Sequence, residues 1–239
     1  MNGNSLSDVT AVVANWLTAT STLHAIQSFR KYYPDLPLVV VDDDSDPKDQ
    51  SEFLIAYNGN NCSPERMYDP DTEILQNVDV TFLKVPPHEH HAKGEGRAID
   101  LAMSNIKTSW MFHFHSDYRF TKGGIIEELL ALVDEKTCAV GEDKKKHKDL
   151  PALSGVVELI NVDLGKEYGL SYQPIKYRDD GTFSPLLGDG DGYPIAAGGY
   201  YTGRLAQLGY TVKMINGLSM KYGRHLRWDG NEETWNQYY

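Results

Sequence analysis

Cysteine, long apolar runs and surplus positive charge are all scarce in this chain, and each shortage excludes something. Cys62 and Cys138 are the two cysteines among 239 residues. Two thiols so far apart form neither a disulfide framework nor a zinc ligand set, which points to a reducing compartment. No apolar run approaches the ~20 residues that a membrane-crossing helix needs. Met1 to Asp8 lacks the charged-then-apolar order of a signal peptide, so the expected location is cytoplasmic. Basic residues number 23 against 34 acidic ones, for a net charge of -11. That balance disfavours a nucleic-acid partner, because such binding is driven by cations displacing counterions from phosphates. The run Lys144-Lys-Lys-His-Lys148 leaves a small opening there, but within Gly141 to Asp149 it reads as a solvated loop.

What is present is an ordinary globular composition, 41% apolar, 24% charged and 11% aromatic, long enough to bury a sizeable core. Val9-Thr-Ala-Val-Val-Ala-Asn15 and Leu38-Val-Val-Val41 read as buried strands, as do Val78 to Val85 and Ser109-Trp-Met-Phe-His-Phe-His115. Between them lie helical spacings. One is Leu23, Ile26, Phe29 and Tyr33, preceded by N-cap candidates at Thr18 to Thr22 and stopped by Pro34. Others are Ala98, Leu101, Ala102 and Ile106, then Ile126, Leu129, Leu130 and Val133. Strands alternating with helices, the strands apolar throughout, imply an α/β fold with a mostly parallel sheet covered on both faces. A strand over 152–162, a long surface loop over 163–193 and a helix through Tyr201, Leu205 and Leu208 capped by Gly209 complete the expectation. Strands around Val212 and Met220 lead to His225.

In open parallel sheets, ligands bind beyond the carboxyl ends of the strands. Two acidic clusters fall there: Asp42-Asp43-Asp44 after the second strand and Asp117 after the fourth. A chain this acidic holds a diphosphate poorly without a cation, and a divalent metal on Asp117, with His225 completing the coordination, supplies the charge. His113 and His115 lie two apart on a strand and so share a face. Pro87-His-Glu-His-His91 fits no common zinc spacing and reads as an exposed loop near the cleft, and Lys93 is a candidate phosphate contact. The tyrosines at 168, 172, 177, 193, 200 and 201 are mostly explained by packing.

These residues resemble the GT-A glycosyltransferases, especially the family-2-like group that uses nucleotide-diphosphate sugars. Val39-Val-Val-Asp-Asp-Asp-Ser-Asp46 is similar to the family's Asp-Asp-Gly-Ser-x-Asp signature, and Gly94-Glu-Gly-Arg-Ala-Ile-Asp100 to its Gly-x-x-x-Ala-x-Asn helix start. Trp110-Met-Phe-His-Phe-His-Ser-Asp-Tyr118 stands where the family places its DxD motif, and the segment from Gly209 to His225 resembles its closing, metal-reaching stretch. The resemblance covers roughly residues 9 to 225. It implies a Rossmann-like single domain over 1–239, with a nucleotide-sugar half (9–140), an acceptor half (141–225) and a tail (226–239). It implies nucleotide-sugar contacts from Asn15, Asp42, Asp43, Arg97, His115 and Asp117, and a Mn2+ or Mg2+ ion on Asp117 and His225.

The departures are specific. His115 replaces the first carboxylate of the DxD motif, Asp100 replaces the usual Asn, and the catalytic-base motif falls on Ala197-Gly198-Gly199, which has no carboxylate. Asp189 and Asp191 in Gly188-Asp-Gly-Asp-Gly192 become the base candidates. The expected activity is metal-dependent transfer from a UDP- or GDP-sugar to a hydroxyl on a glycan, small molecule, lipid-linked acceptor or protein. The alternatives are a non-catalytic sugar-nucleotide or glycan-binding relative, and a nucleotidyltransferase. Against the latter, Ala14-Asn-Trp-Leu-Thr-Ala-Thr20 after the first strand carries neither glycine nor a basic residue.

Overall fold

The computed structural model describes residues 5–51, 67–87, 95–143, 151, 153–173, 175–177, 183–185, 193–195 and 198–225. Its centre is a seven-stranded sheet in the order β11-β6-β7-β4-β1-β2-β3. The strands are β1 (Val9–Asn15), β2 (Leu38–Asp42), β3 (Thr81–Lys84), β4 (Trp110–Phe114), β6 (Thr137–Asp143), β7 (Leu153–Asn161) and β11 (Thr211–Ile215). β1 pairs in parallel with β2 and β4, β2 with β3, and β6 with β11. β7 runs antiparallel to both neighbours, so the sheet is mostly parallel, with one reversed strand. Every residue of β1, β2 and β4 is buried, which is why these strands are apolar on both faces.

Alternation divides the core. Val9, Ala11, Val13, Leu38, Val40, Phe112 and Phe114 face one layer, with helices α1 (Ala19–Arg30) and α4 (Ile125–Ala131). Val12, Ala14, Val39, Val41 and Met111 face the other, with α3 (Gly96–Asn105) and α6 (Gly199–Gln207). The short helix α2 spans Glu73–Gln76. Phe29 of α1 centres an aromatic cluster, with ring centroids 5.0 Å from Tyr33, 5.1 Å from Phe114 and 5.2 Å from Phe120. Beyond α1, Arg30 Nη1 donates to the carbonyls of Tyr33, Pro34 and Leu36, fixing the turn that Pro34 introduces. Cys138 is fully buried, and burial pushes its thiol up to about 12, so it is no nucleophile.

Three expectations are corrected. Residues 163–193 are not one long loop: helix α5 (Val162–Tyr168) opens there, followed by β8 (Ile175–Tyr177), β9 (Phe183–Pro185) and β10 (Tyr193–Ile195), which form a three-stranded sheet. α5 is held by its ends, since Asn161 Oδ1 accepts from Leu164 N at 3.0 Å and Gly169 closes the helix at φ 61°. Met220 lies in helix α7 (Leu218–Tyr222), not in a strand, because Gly217 at φ 67° turns the chain before it. Gly141 to Asp143, the start of the charge run, end strand β6; the remainder of that run lies outside the described residues. A two-stranded antiparallel ribbon of β5 (Tyr118–Phe120) and β12 (Gly223–His225) pairs His225 with Tyr118. Among the described residues, no helix is long and apolar enough to cross a membrane.

Candidate functional site

Parallel register sets Asn15 beside Asp42, and Asp42 beside Lys84, so three polar residues end neighbouring strands at one edge. Asn15 Nδ2 donates to Asp42 Oδ1 at 2.8 Å, and Ser45 donates to the same oxygen through its hydroxyl at 2.6 Å. Asp42 Oδ2 accepts from Ser45 N at 3.1 Å and lies 3.9 Å from Lys84 Nζ. Asp42 is fully buried and its oxygens are occupied, so it shapes this corner through Asn15 and Ser45. Asp43, beside it, is also buried. Asp44, at the place of the resembled signature's glycine, has φ 54°, a left-handed conformation that Asp tolerates better than most residues. Leu17 is left-handed as well (φ 56°), its N donating to Ser45 Oγ and its carbonyl accepting from Asp69 N.

Two of the hydroxyls among the expected α1 caps, those of Thr18 and Thr22, serve this corner instead. Thr18 makes no side-chain capping bond. Its Oγ1 lies 3.2 Å from Asn15 Oδ1 and 3.4 Å from Ser116 Oγ, while Thr22 Oγ1 donates to Asn15 Oδ1 at 2.8 Å. Thr18 thereby joins the Asn15–Asp42 corner to the turn that carries Asp117.

Around that turn, His115, Asp117 and His225 each offer one ligand atom, all within 4.8 Å of one another. His225 Nε2 is 3.0 Å from Asp117 Oδ1 and 3.0 Å from His115 Nδ1. β5 and β12 hold this geometry by placing His225 opposite Tyr118, the residue after Asp117. Two imidazoles and a carboxylate converge here, Asp117 and His225 buried and His115 half-buried, and they fit a divalent metal ion.

Behind the triad runs a polar chain that the sequence did not reveal. Glu95 Oε1 lies 3.6 Å from His115 Nε2, and Glu95 Oε2 lies 3.8 Å from His113 Nε2. On its other nitrogen, His113 meets Glu158 Oε1 at 3.1 Å, and the Tyr172 hydroxyl donates to Glu158. Burial would push the Glu95 carboxyl up, but the His113 and His115 rings outweigh it and hold it at about 2. Burial likewise works to lower His115, but Glu95 and then Asp117 leave it above its ordinary value. Burial, reinforced by Glu158, raises Tyr172 and keeps it a hydroxyl donor. A lone glutamate inside Val156-Val-Glu-Leu-Ile160 was the available signal for Glu158.

Of the other expected site residues, Arg97 stands half-buried in the first turn of α3, two residues from Glu95. Asp100 accepts from Tyr172 N at 2.6 Å and Ser171 Oγ at 2.6 Å, so the replacement of the usual Asn anchors the segment after α5. Gly198, in the place of the missing base motif, has φ 80°, and a Cβ there would meet the Tyr172 hydroxyl at 2.6 Å. Asp189, Asp191, Lys93 and residues 88–91 lie outside the described residues.

No protein-family model matches the chain, and no curated protein matches it. Solved structures do. The mannosyltransferase PcManGT from Pyrobaculum calidifontis, in complex with GDP-Man and Mn2+, is similar at 16% identity and a TM-score of 0.54, over 88% of this chain and 55% of that one. S. aureus TarS 1-349 is similar at 13% identity and a TM-score of 0.43, over 69% and 50%. Glucosyl-3-phosphoglycerate synthase from Mycobacterium tuberculosis, in complex with Mn2+, UDP and phosphoglyceric acid, is similar at 15% identity and a TM-score of 0.43, over 65% and 56%. This chain therefore spans about half the length of each. The likeness to the mannosyltransferase shows the fold: the chain has the GT-A architecture, a mostly parallel seven-stranded sheet between helical layers.

Proposed function

We propose that the protein is a metal-dependent glycosyltransferase that moves a sugar from a nucleotide-diphosphate sugar to a hydroxyl acceptor. One observation carries this reading. The Asn15–Asp42–Asp43 corner and the His115–Asp117–His225 triad share one carboxyl edge of the sheet and are joined through Thr18 and Ser116. A sugar nucleotide laid across that edge would have its nucleoside near Asn15 and Asp43 and its diphosphate near Asp117.

In the reaction, the acceptor oxygen forms a bond to the anomeric carbon while the bond from that carbon to phosphate breaks, and the nucleoside diphosphate leaves with the electron pair. A divalent cation on Asp117 and His225 would supply charge neutralisation for that leaving group. Arg97, at the start of α3, would share the task. The acceptor proton needs a base, for which Asp191 and Asp189 remain the candidates. Residues 9–140 would form the donor half and 141–225 the acceptor half. The mannosyltransferase similar to this chain binds GDP-Man with Mn2+, which makes GDP-sugars and UDP-sugars the first donors to try.

The test is a thermal-shift screen of those donors with and without Mn2+, followed by transfer and hydrolysis assays. A donor at 100 times its Kd stabilises the folded state by about 2.7 kcal/mol. Stabilisation that needs the metal is expected, and Asp117→Ala should remove both it and turnover. Wild-type activity in Asp117→Ala would take Asp117 out of the mechanism. Asp191→Asn should lower turnover more than donor binding. Metal-dependent binding without transfer or hydrolysis would favour a non-catalytic sugar-nucleotide binder.

A further inference from the structure

We propose that His115 is itself a ligand to the cation, completing a set of two imidazoles and one carboxylate, and that Glu95 is its positioning residue. The proposal rests on the reading above in one respect, that a divalent cation sits on Asp117 and His225. It differs in taking His115 away from the nucleotide and giving it to the metal.

Spacing is the first argument. His115 Nδ1 and Asp117 Oδ1 each lie 3.0 Å from His225 Nε2. Adjacent ligand atoms of an octahedral ion with bonds of about 2.1 Å are about 3.0 Å apart. The second argument is the far side of the ring. A ligating imidazole characteristically gives its other N–H to a carboxylate, which sets the tautomer and orientation. Glu95 Oε1 stands 3.6 Å from His115 Nε2. Glu95 Oε2 in turn lies 3.8 Å from His113 Nε2, and His113 meets Glu158, which accepts from Tyr172. His113, Glu158 and Tyr172 are all buried.

The third argument is space. Gly155 on β7 has φ 77°, and a Cβ there would stand 3.3 Å from His115 Nε2. The strand passes the ring closely, while His115 N donates to Val156 O at 3.0 Å. The imidazole is thus fixed from its backbone, faces the Glu95 carboxylate at its far nitrogen and is closed in by Gly155.

Donor chemistry gives the consequence. Magnesium prefers oxygen ligands, whereas imidazole favours first-row transition ions. A carboxylate at position 115, as in the DxD motif, would offer the ion a second acidic oxygen ligand. Histidine there tilts the site away from Mg2+.

The experiment uses the full chain with Mg2+, Mn2+ or Co2+, alone and with GDP or UDP. It combines titration calorimetry with pulsed EPR of bound Mn2+. Nitrogen modulation from two imidazoles is expected in the wild type and from one in His115→Asp. The preference for Co2+ over Mg2+ should fall on the order of tenfold in His115→Asp. Glu95→Gln should weaken Mn2+ and Co2+ by ~10–100-fold, with no further loss when combined with His115→Asp; a merely structural Glu95 would give independent, additive losses. Circular dichroism and melting confirm folding, and His115→Asn replaces His115→Asp if the latter does not fold. Cation binding with identical nitrogen modulation and unchanged metal preference in the variant overturns the proposal and leaves the cation on Asp117 and His225. Absence of any cation binding in the wild type overturns the reading beneath it as well.

Discussion

Asp44 carries a conformational cost that the resembled signature avoids with glycine. At φ 54° it occupies the region where a Cβ crowds the following carbonyl, a cost that a β-branched side chain aggravates. Asp44→Val should therefore lose about 1–2 kcal/mol of stability, read as a lower urea midpoint at unchanged slope. Asp44→Gly should come close to the wild type, since its relaxed backbone in the fold is offset by a freer unfolded chain. Asp42 sits at the opposite extreme, buried and with its oxygens occupied by Asn15 and Ser45. The two aspartates divide the labour: Asp42 organises the corner, and Asp44 turns the chain past it.

At the scale of elements, helix α1 bridges core and site. Its last turn buries Phe29 against Tyr33, Phe114 and Phe120, and its N-terminal end, with the preceding Thr18, places Thr18 and Thr22 on Asn15. Phe29→Ala should cost about 3–5 kcal/mol, measured by chemical denaturation, because the rigid sheet beneath cannot collapse into the cavity. β1, β2 and β4 were legible in the sequence because interior parallel strands are apolar without interruption. α5 and β8 to β10 were not, since short elements are held by caps and partners rather than by any period of their own. The site divides in the same way. Asp117 follows the apolar strand β4 and announces itself, His225 was singled out although the strand expected before it is helix α7, and His115 could be seen to share a face with His113. Glu95, Glu158 and Tyr172 gain meaning only from partners remote in sequence; His113 and Glu158 are 45 residues apart. Thr18 and Thr22 looked like caps because the sequence does not show that the end of β1 would claim their hydroxyls.

For the molecule as a whole, the open rims of the sheet are guarded by lysines. Lys84 ends β3 near Asp42, and Lys213 on β11 lies 2.6 Å from Asp134 Oδ2, tying the last strand to the turn before β6. Hydrogen bonds from Lys213 and then Thr137 hold the Asp134 carboxyl down at about 2. Its folded value is depressed, so its contribution is present above 3.8 and is lost as pH falls through about 2. Asp134→Asn should thus lower the denaturation midpoint modestly at neutral pH. The gap to the wild type should close on acidification across that window and shrink with added salt, as expected for an exposed pair.

The reach of the β5–β12 ribbon sets an order of events during synthesis. The seven-stranded sheet has its last strand once Ile215 has been made, whereas His225 follows later and must meet a partner 110 residues upstream. Translation therefore brings the third member of the triad within reach of the other two only after every strand of the seven-stranded sheet has been made.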